Sequence, residues 1–126
     1  MGRPEEAEKQ YKLTLAVDPK HSATHYNYGL LLKQMRRLEE AKEQYKLALE
    51  ADPNNADIHS NYGNLLKQMG RPEEAEEQYK FALAANLNDA DTHYNYGLLQ
   101  YFTNWIRKSS SFIPISKYFS VKCLKS

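Results

Sequence analysis

The chain has 126 residues and a net charge of +1, and 41% of its residues are hydrophobic. This composition is typical of a folded, globular chain and excludes a natively disordered one. No stretch approaches the about 18 consecutive apolar residues of a membrane-spanning helix, so we expect no membrane partner.

The charges are unevenly distributed along the chain. Residues 1–102 contain 12 of the 17 basic side chains and all 16 acidic ones, whereas residues 103–126 contain 5 basic side chains and no acidic one. The net charge is therefore −4 over residues 1–102 and +5 over residues 103–126. Because binding to a phosphate backbone requires a basic surface, we expect no nucleic-acid partner for residues 1–102.

The N-terminal residues contain no apolar core, which predicts that no secretory signal is present. Cys123 is the single cysteine, so no internal disulfide can form. Both observations favour a cytoplasmic location.

A repeated segment organises most of the sequence. Met1, Met35 and Met69 begin three copies of equal length that align without a gap. A fixed period of about 20–50 residues is typical of helical repeats that stack, each covering the apolar face of the next.

Each repeat predicts two helices, a first and a second, joined by a short turn. In chain order we predict a second helix at about 4–17, complete pairs at about 22–51 and 56–85, and a first helix from about residue 90. Tyr28, Gly29 and Leu32 share one apolar face of a first helix. Gly29 and Ala41 reduce bulk where the helices of a pair cross, and tyrosines such as Tyr45 fill the wider gaps between neighbouring pairs.

The same residue types recur at the same places in each copy. Residues 56–89 contain Tyr62 with Gly63, Leu66, Gly70, Ala75, Tyr79 and Ala82; residues 22–55 contain Tyr28 with Gly29, Leu32, Ala41, Tyr45, Ala48 and Pro53. Over about residues 1–102 this pattern resembles the tetratricopeptide repeat family. The resemblance implies an all-α fold, a right-handed superhelical solenoid of antiparallel helix pairs with about six repeat helices and an irregular C-terminal tail.

Some positions depart from the family pattern. His25, His59 and His93 stand where tryptophan is favoured, Arg36 replaces the turn glycine, Thr14 replaces the second small residue, and Leu87 replaces the closing proline. Arg36 is expected to cost about 1–2 kcal/mol if its turn needs a left-handed residue.

We predict a repeat domain at 1–102, made of a half repeat at 1–21, full repeats at 22–55 and 56–89, and a half repeat at 90–102. Three interpretations of the basic, aromatic tail at 103–126 remain open: a cap, a strip that binds a partner, or incidental sequence after a frameshift. A cap is favoured, because Phe112, Ile115, Phe119 and Cys123 would share one face of a helix; the tail could also be disordered.

The resemblance implies that the first helices line a concave groove. We predict that a peptide binds there to Tyr26, Asn27, Leu30, Lys33, Asn61, Asn64, Lys67, Tyr94, Asn95 and Leu98. Asn27, Asn61 and Asn95 resemble the asparagine ladder in the repeats of O-linked N-acetylglucosamine transferases, and their amides suit an extended peptide backbone. A clamp for the C-terminal carboxylate of chaperones is not expected, because Tyr26, Leu30 and Asp91 replace its binding residues.

No catalytic or metal-binding pattern is found. His25, His59 and His93 occur once per repeat, and stacked repeats hold such residues too far apart to share a zinc ion. The glycines form no phosphate-binding loop, and no serine has predictable His and Asp partners. We expect no cofactor, no metal and no enzymatic activity.

These patterns predict a protein–protein interaction scaffold that binds a peptide or a protein segment in its groove. The alternative is a structural module that forms homo-oligomers, because the half repeats at both ends would expose apolar faces without a partner helix.

Overall fold

The computed structural model describes residues 3–109, which form six α-helices. The helices are α1 (Pro4–Val17), α2 (Ser22–Gln34), α3 (Leu38–Ala51), α4 (Ala56–Gln68), α5 (Pro72–Ala85) and α6 (Ala90–Ser109). The pairs α2 with α3 and α4 with α5 make the most extensive contacts, α1 packs on α2, and α6 packs on α5. The chain is therefore a helical repeat solenoid, as the sequence predicts.

The first helices α2, α4 and α6 begin with equivalent capping residues. The side chains of His21, Asn55 and Asp89 each accept a hydrogen bond from the backbone N–H three residues later. These three positions are equivalent in successive copies of the repeat, so one position of the repeat fixes the start of every first helix.

The second helices α1, α3 and α5 begin in another way. Each carries two glutamates in its first turn, and α1 and α5 also begin with a proline. Proline is preorganised for the first helical position, and the glutamates lie at the positive end of the helix dipole. These signals explain why the boundaries of the second helices could be read from the sequence.

The turns within the two complete pairs have the same backbone geometry. Arg36 has φ = 63° and Gly70 has φ = 76°. The following residues, Arg37 and Arg71, donate backbone N–H bonds of 2.9 Å to the carbonyls of Leu32 and Leu66, which closes both first helices. The turn thus holds Arg36 in the left-handed region, which is the condition on which the predicted cost of Arg36 depends.

Replacing Arg36 with glycine should therefore stabilise the protein. The substitution removes the strain of a side chain at positive φ, and we expect the free energy of unfolding to rise by about 1 kcal/mol. Urea denaturation of the two proteins measures the difference. Gly70→Arg supplies the matched control, because it introduces the same strain at the equivalent turn and should lower the stability.

Tyrosines of the second helices pack onto glycines of the first helices. An ideal Cβ at Gly29 would lie 2.7 Å from Cε1 of Tyr45, and one at Gly63 would lie 2.6 Å from Cε1 of Tyr79. Both tyrosines are fully buried. The glycines therefore do more than let the helices approach, because each makes room for a tyrosine ring of its own pair.

The tyrosines also link neighbouring repeats. The ring centroid of Tyr45 lies 6.1 Å from that of Tyr62, and the ring centroid of Tyr79 lies 6.0 Å from that of Tyr96. The gaps between pairs are filled as predicted, and each tyrosine of this kind stabilises one pair and its connection to the next.

A polar cluster connects α1 to the first complete pair. The carboxylate of Glu8 accepts bonds from the hydroxyl of Tyr28 at 2.6 Å and from Nη1 of Arg37 at 3.0 Å. Arg37, and then Tyr28, hold the pKa of Glu8 at about 2, against an ordinary value of 4.5. Glu8 is thus ionised in the folded protein at any pH well above that value.

This cluster should make the stability depend on pH. Because the pKa of Glu8 is lower in the folded chain, its contribution is complete above about pH 4.5 and is lost as the pH falls towards about 2. Glu8→Gln should lower the urea midpoint at neutral pH. It should also reduce the additional loss of stability that occurs as the pH falls from about 4.5 to about 2. Glu5→Gln, at an exposed position of the same helix, serves as the control. An equal pH response in wild type and Glu8→Gln would show that Glu8 is not the titrating group.

Helix α6 is longer than the repeat predicts. It continues to Ser109, so the predicted boundary at residue 102 falls inside the helix. Thr103, Asn104 and Trp105 stand where the other repeats have their turn, and no glycine or proline interrupts the helix there. The predicted cap formed by Phe112, Ile115, Phe119 and Cys123 lies outside the described residues.

Candidate functional site

Hydrogen bonds connect the neighbouring first helices. Nδ2 of Asn61 donates to the hydroxyl of Tyr26 at 2.7 Å, which links α4 to α2. The hydroxyl of Ser60 donates to Oγ1 of Thr92 at 2.8 Å, because the one hydrogen of the Thr92 hydroxyl goes to the carboxylate of Asp89; this contact links α4 to α6. Helices α2, α4 and α6 therefore form one continuous surface, called here the groove surface.

A pocket of about 310 Å³ lies on the groove surface between α4 and α6. Its lining residues all have polar side chains: Asp57, Ser60, Asn61, Asn64, Asp89, Asp91, Tyr94 and Asn95. Four residues of the predicted site, Asn61, Asn64, Tyr94 and Asn95, thus line one cavity. We call it the α4–α6 pocket.

The amides of the α4–α6 pocket present complementary hydrogen-bonding groups. Both bonds of Asn61 use its NH₂ group, which donates to Tyr26 and to the carbonyl of Asp57, so its oxygen remains available. The oxygen of Asn64 accepts from the hydroxyl of Tyr79 at 2.5 Å, so its NH₂ group remains available. The side chain of Asn95 has no hydrogen bond within residues 3–109. The pocket can therefore both donate to and accept from a peptide backbone.

Three carboxylates give the α4–α6 pocket a negative charge. They belong to Asp57, Asp89 and Asp91, and none of the lining residues is basic. The hydroxyl of Thr92 donates to Asp89 at 2.7 Å and, with nearby backbone N–H groups, lowers the pKa of that carboxyl. The predicted site did not include Asp57, Ser60, Asp89 or Asp91, although the recurrence of aspartate at the equivalent positions 57 and 91 was a signal for this pocket.

The other end of the groove surface is positive. Lys33 and Lys67 lie in the last turns of α2 and α4 and are partly buried. Burial lowers the pKa of Lys33, and the charge of Lys67 lowers it further. The groove surface thus has negative N-terminal ends on α4 and α6 and positive C-terminal ends on α2 and α4.

The remaining predicted site residues lie outside the α4–α6 pocket. Asn27 is exposed and has no hydrogen bond within the described part of the chain. Tyr26 and Leu30 are partly buried against the core, whereas Leu98 is exposed on α6. These residues belong to the first helices, as predicted, but the pocket does not include them.

Two equivalent tyrosines differ in how their hydroxyls are satisfied. The hydroxyl of Tyr79 donates to Asn64, whereas the buried hydroxyl of Tyr45 has no partner among the described residues. The position of Asn64 is occupied in the first complete repeat by Leu30, which offers no acceptor. Burial also raises the pKa of Tyr45 above its ordinary range.

Removing these hydroxyls should have opposite effects. Tyr45→Phe should raise the free energy of unfolding by about 1 kcal/mol, because an unsatisfied buried hydroxyl disappears. Tyr79→Phe should lower it by about 1 kcal/mol, because a hydrogen bond is lost. Urea denaturation of both variants gives the comparison, and equal shifts of the same sign would contradict this account of the two hydroxyls.

The repeated histidines have a structural role in the two complete pairs. His25 contacts Oε1 of Gln44 through Nδ1 and the carbonyl of Pro19 through Nε2, both at 2.7 Å. His59 makes the same two contacts with Gln78 and with the carbonyl of Pro53. Both histidines are buried between helices, at the position where the family favours tryptophan.

His93 differs from the other two histidines. Its ring contacts the carbonyl of Leu87 at 2.8 Å, but it is exposed and has no glutamine partner within residues 3–109. The reason is that no described second helix packs beside α6 as α3 and α5 do beside α2 and α4.

The described residues show neither a metal cluster nor a membrane span. In residues 3–109, no three His, Cys, Asp or Glu side chains are grouped so that they could hold a metal ion. Over the same range, every helix is too short or too polar to cross a membrane.

Stacked helix pairs with a polar pocket on their first helices define a helical repeat protein. A family model described as "TPR repeat" matches residues 29–70, and one described as "Tetratricopeptide repeat" matches residues 62–101. Together the two matches cover more than half of the chain. The chain belongs to the tetratricopeptide repeat family.

Solved structures of this family resemble the chain closely in fold. A thermophilic TPR protein of Thermus thermophilus matches with a TM-score of 0.71 and 28% identity over 77% of this chain and 50% of that one. YrrB, described as a TPR protein with an unusual peptide-binding site, matches with a TM-score of 0.72 and 23% identity over 90% of this chain and 59% of its own. The first TPR of Spaghetti (RPAP3), bound to the HSP90 peptide SRMEEVD, matches with a TM-score of 0.76 and 17% identity over 80% of each chain.

The chain spans about half the length of the Thermus protein that it resembles. No curated protein matches its sequence. The fold and the family are therefore shown by the comparisons, whereas the partner has to be inferred from the groove surface.

Proposed function

We propose that the protein is a non-catalytic scaffold that binds an extended segment of another protein on its groove surface. The observation that carries the proposal is the α4–α6 pocket, which presents amide donors and acceptors beside three carboxylates. An extended backbone offers alternating N–H and C=O groups that match such amides.

The charges of the groove surface favour one class of peptide. A lysine or arginine of the bound segment would lie in the α4–α6 pocket, where Asp57, Asp89 and Asp91 provide carboxylates. An acidic residue further along would lie near Lys33 and Lys67. The proposed partner is therefore an extended segment with a basic residue at one end of its contact and an acidic residue at the other.

This specificity differs from that of one structural relative. The Spaghetti (RPAP3) domain binds the peptide SRMEEVD, which has three acidic residues near its C-terminus. In the present chain, Asp91 and the other carboxylates of the α4–α6 pocket would repel such a charge. We expect no binding of that peptide.

Selection from a library of displayed peptides tests the proposal. The wild type should enrich peptides that share a basic residue at one position. A soluble form of one enriched peptide is then titrated into Asp57→Asn/Asp91→Asn, and we expect its affinity to fall about tenfold, with a weaker dependence on salt.

A matched variant controls for the loss of charge. Glu43→Gln/Glu77→Gln removes the same number of carboxylates, also from equivalent positions of two repeats, but from the exposed faces of α3 and α5. It should bind the peptide as the wild type does. If the pocket variant and the control bind equally well, or if no peptide is enriched, the proposal is wrong.

A further inference from the structure

Two contacts are repeated in every complete helix pair. In each, a tyrosine of the second helix packs onto a glycine of the first, as Tyr79 does onto Gly63. In each, the glutamine before that tyrosine bonds to the histidine of the first helix, as Gln78 does to His59. These contacts identify what a first helix and a second helix require from one another.

The first helix at one end of the solenoid lacks its half of these contacts. An ideal Cβ at Gly97 would meet no atom of the described chain within 4 Å, in contrast to Gly29 and Gly63. His93 on the same helix has no glutamine partner among the described residues. Because α6 continues as one helix to Ser109, no described segment lies where α3 and α5 lie in the other pairs.

The second helix at the opposite end carries the missing half. Gln10 and Tyr11 of α1 occupy the positions that Gln44 and Tyr45 occupy in the next copy of the repeat. Gln10 is exposed, and Tyr11 is partly exposed, with its ring centroid 5.9 Å from that of Tyr28. Each end of the solenoid thus holds the partner residues of the other end.

The charges at the two ends are also complementary. Arg37 bonds to Glu8 of the preceding second helix, and Arg71 bonds to Glu39 of the preceding one. Arg3 is the equivalent arginine of α1, and within residues 3–109 its carboxylate partner is Glu6 of its own helix. At the other end, Glu76 and Glu73 of α5 occupy the positions of Glu8 and Glu39. The position that corresponds to Arg37 and Arg71 in the next copy is Trp105, which cannot form the same ion pair.

We propose that α1 of one copy docks onto α6 of a second copy and completes its repeat. Tyr11 then packs on Gly97, Gln10 bonds to His93, and Arg3 approaches Glu73 and Glu76. The two surfaces of this contact are different, so the contact is head-to-tail. Because α1 takes the place that α3 and α5 take in the other pairs, it continues the solenoid and leaves a free end on each side. The assembly is an open, head-to-tail chain of solenoids.

One residue limits the strength of this contact. Thr14 occupies the position of Ala48 and Ala82, which are both fully buried. Its extra atoms reduce the space between the docked helices, and its hydroxyl already donates to the carbonyl of Gln10 at 3.0 Å. Thr14→Ala should therefore strengthen the association, which makes the proposed interface testable by a gain as well as by a loss.

Sedimentation velocity of the full chain at increasing concentration tests the proposal. The average mass of the wild type should rise steadily with concentration, and that of Thr14→Ala should rise at lower concentrations. Gly97→Leu and Thr14→Arg each place a large side chain at one of the two docking surfaces. Both positions are exposed in the single chain, so these variants should fold normally and remain monomeric.

Mixing the two blocked variants gives the decisive result. Gly97→Leu retains a functional α1, and Thr14→Arg retains a functional α6, so the mixture should form a one-to-one heterodimer and nothing larger. Lys46→Leu, which adds a leucine to an exposed position of α3, should associate like the wild type.

Three outcomes would overturn the proposal. The first is a wild type that stays monomeric at every concentration. The second is continued association of either blocked variant by itself. The third is a mixture without the heterodimer. None of the substituted residues lines the α4–α6 pocket, so these results are independent of peptide binding.

Discussion

Gly63→Ala is expected to lower the free energy of unfolding by about 1–3 kcal/mol. The new Cβ would lie 2.6 Å and 2.7 Å from two ring carbons of Tyr79, which is fully buried and whose hydroxyl bonds to Asn64. The ring cannot turn away without losing that bond, so the two helices have to move apart. Urea denaturation followed by circular dichroism measures the loss.

The same substitution at the end of the solenoid should have the opposite sign. Gly97→Ala meets no described atom within 4 Å, and alanine favours a helix over glycine by about 1 kcal/mol. We therefore expect a small gain in stability for a protein kept dilute enough to be monomeric. Equal losses at Gly63 and Gly97 would mean that a second helix covers α6 in the single chain.

Tyr79→Ala is expected to cost about 3–5 kcal/mol. The ring of Tyr79 fills the space above Gly63, lies 6.0 Å from the ring of Tyr96 and anchors Asn64, so its removal loosens both α4 and α6. The loss should appear in urea denaturation as a lower midpoint.

Tyr11→Ala provides the comparison at an equivalent position. Tyr11 is only partly buried and contacts the ring of Tyr28, so we expect a cost of about 1 kcal/mol in the monomer. Tyr11→Ala could instead destabilise the protein as much as Tyr79→Ala does. Tyr11 would then be as well packed as Tyr79 in the monomer, which would contradict the account of α1 as an open end.

The regular features of the fold could be predicted from the sequence because the same residue types recur at equivalent positions in several copies of the repeat. Glycine and tyrosine recur at fixed positions, and so do the paired glutamates at the start of each second helix. Arg36 could be recognised as strained because Gly70 shows what the equivalent turn requires. These features depend on the backbone and on packing, which are shared by all repeats.

The features that differ between repeats were harder to predict. Position 30 is leucine and position 64 is asparagine, and only the packed structure shows that this difference leaves the hydroxyl of Tyr45 without a partner among the described residues. The acidic pocket was missed for a similar reason, since Asp89 lies between two predicted helices at a position where the other copies have His21 and Asn55 instead of an acidic residue. It belongs to the site only because α4 and α6 lie side by side.

The end of α6 could not be predicted from the repeat, for a different physical reason. The repeat pattern ends after Gln100, and the loss of a pattern does not by itself end a helix. A helix stops where a residue breaks it, and Thr103, Asn104 and Trp105 include no such residue.

The two proposals describe different surfaces of one scaffold. The groove surface would bind the partner, and the end-to-end contact would place the α6 of one copy next to the α2 of another. A head-to-tail chain would therefore align successive groove surfaces and increase the effective concentration of binding sites for a partner with several suitable segments.

The central claim is that an extended peptide binds on the groove surface. The most direct measurement is a nuclear magnetic resonance titration of the labelled protein with one library-selected peptide, following the side-chain amide signals of asparagine. We predict that the signals of Asn61, Asn64 and Asn95 shift together and saturate, while the backbone signals of α3 and α5 at exposed positions stay unchanged. Unchanged asparagine signals, with shifts confined to α3 and α5, would contradict the claim.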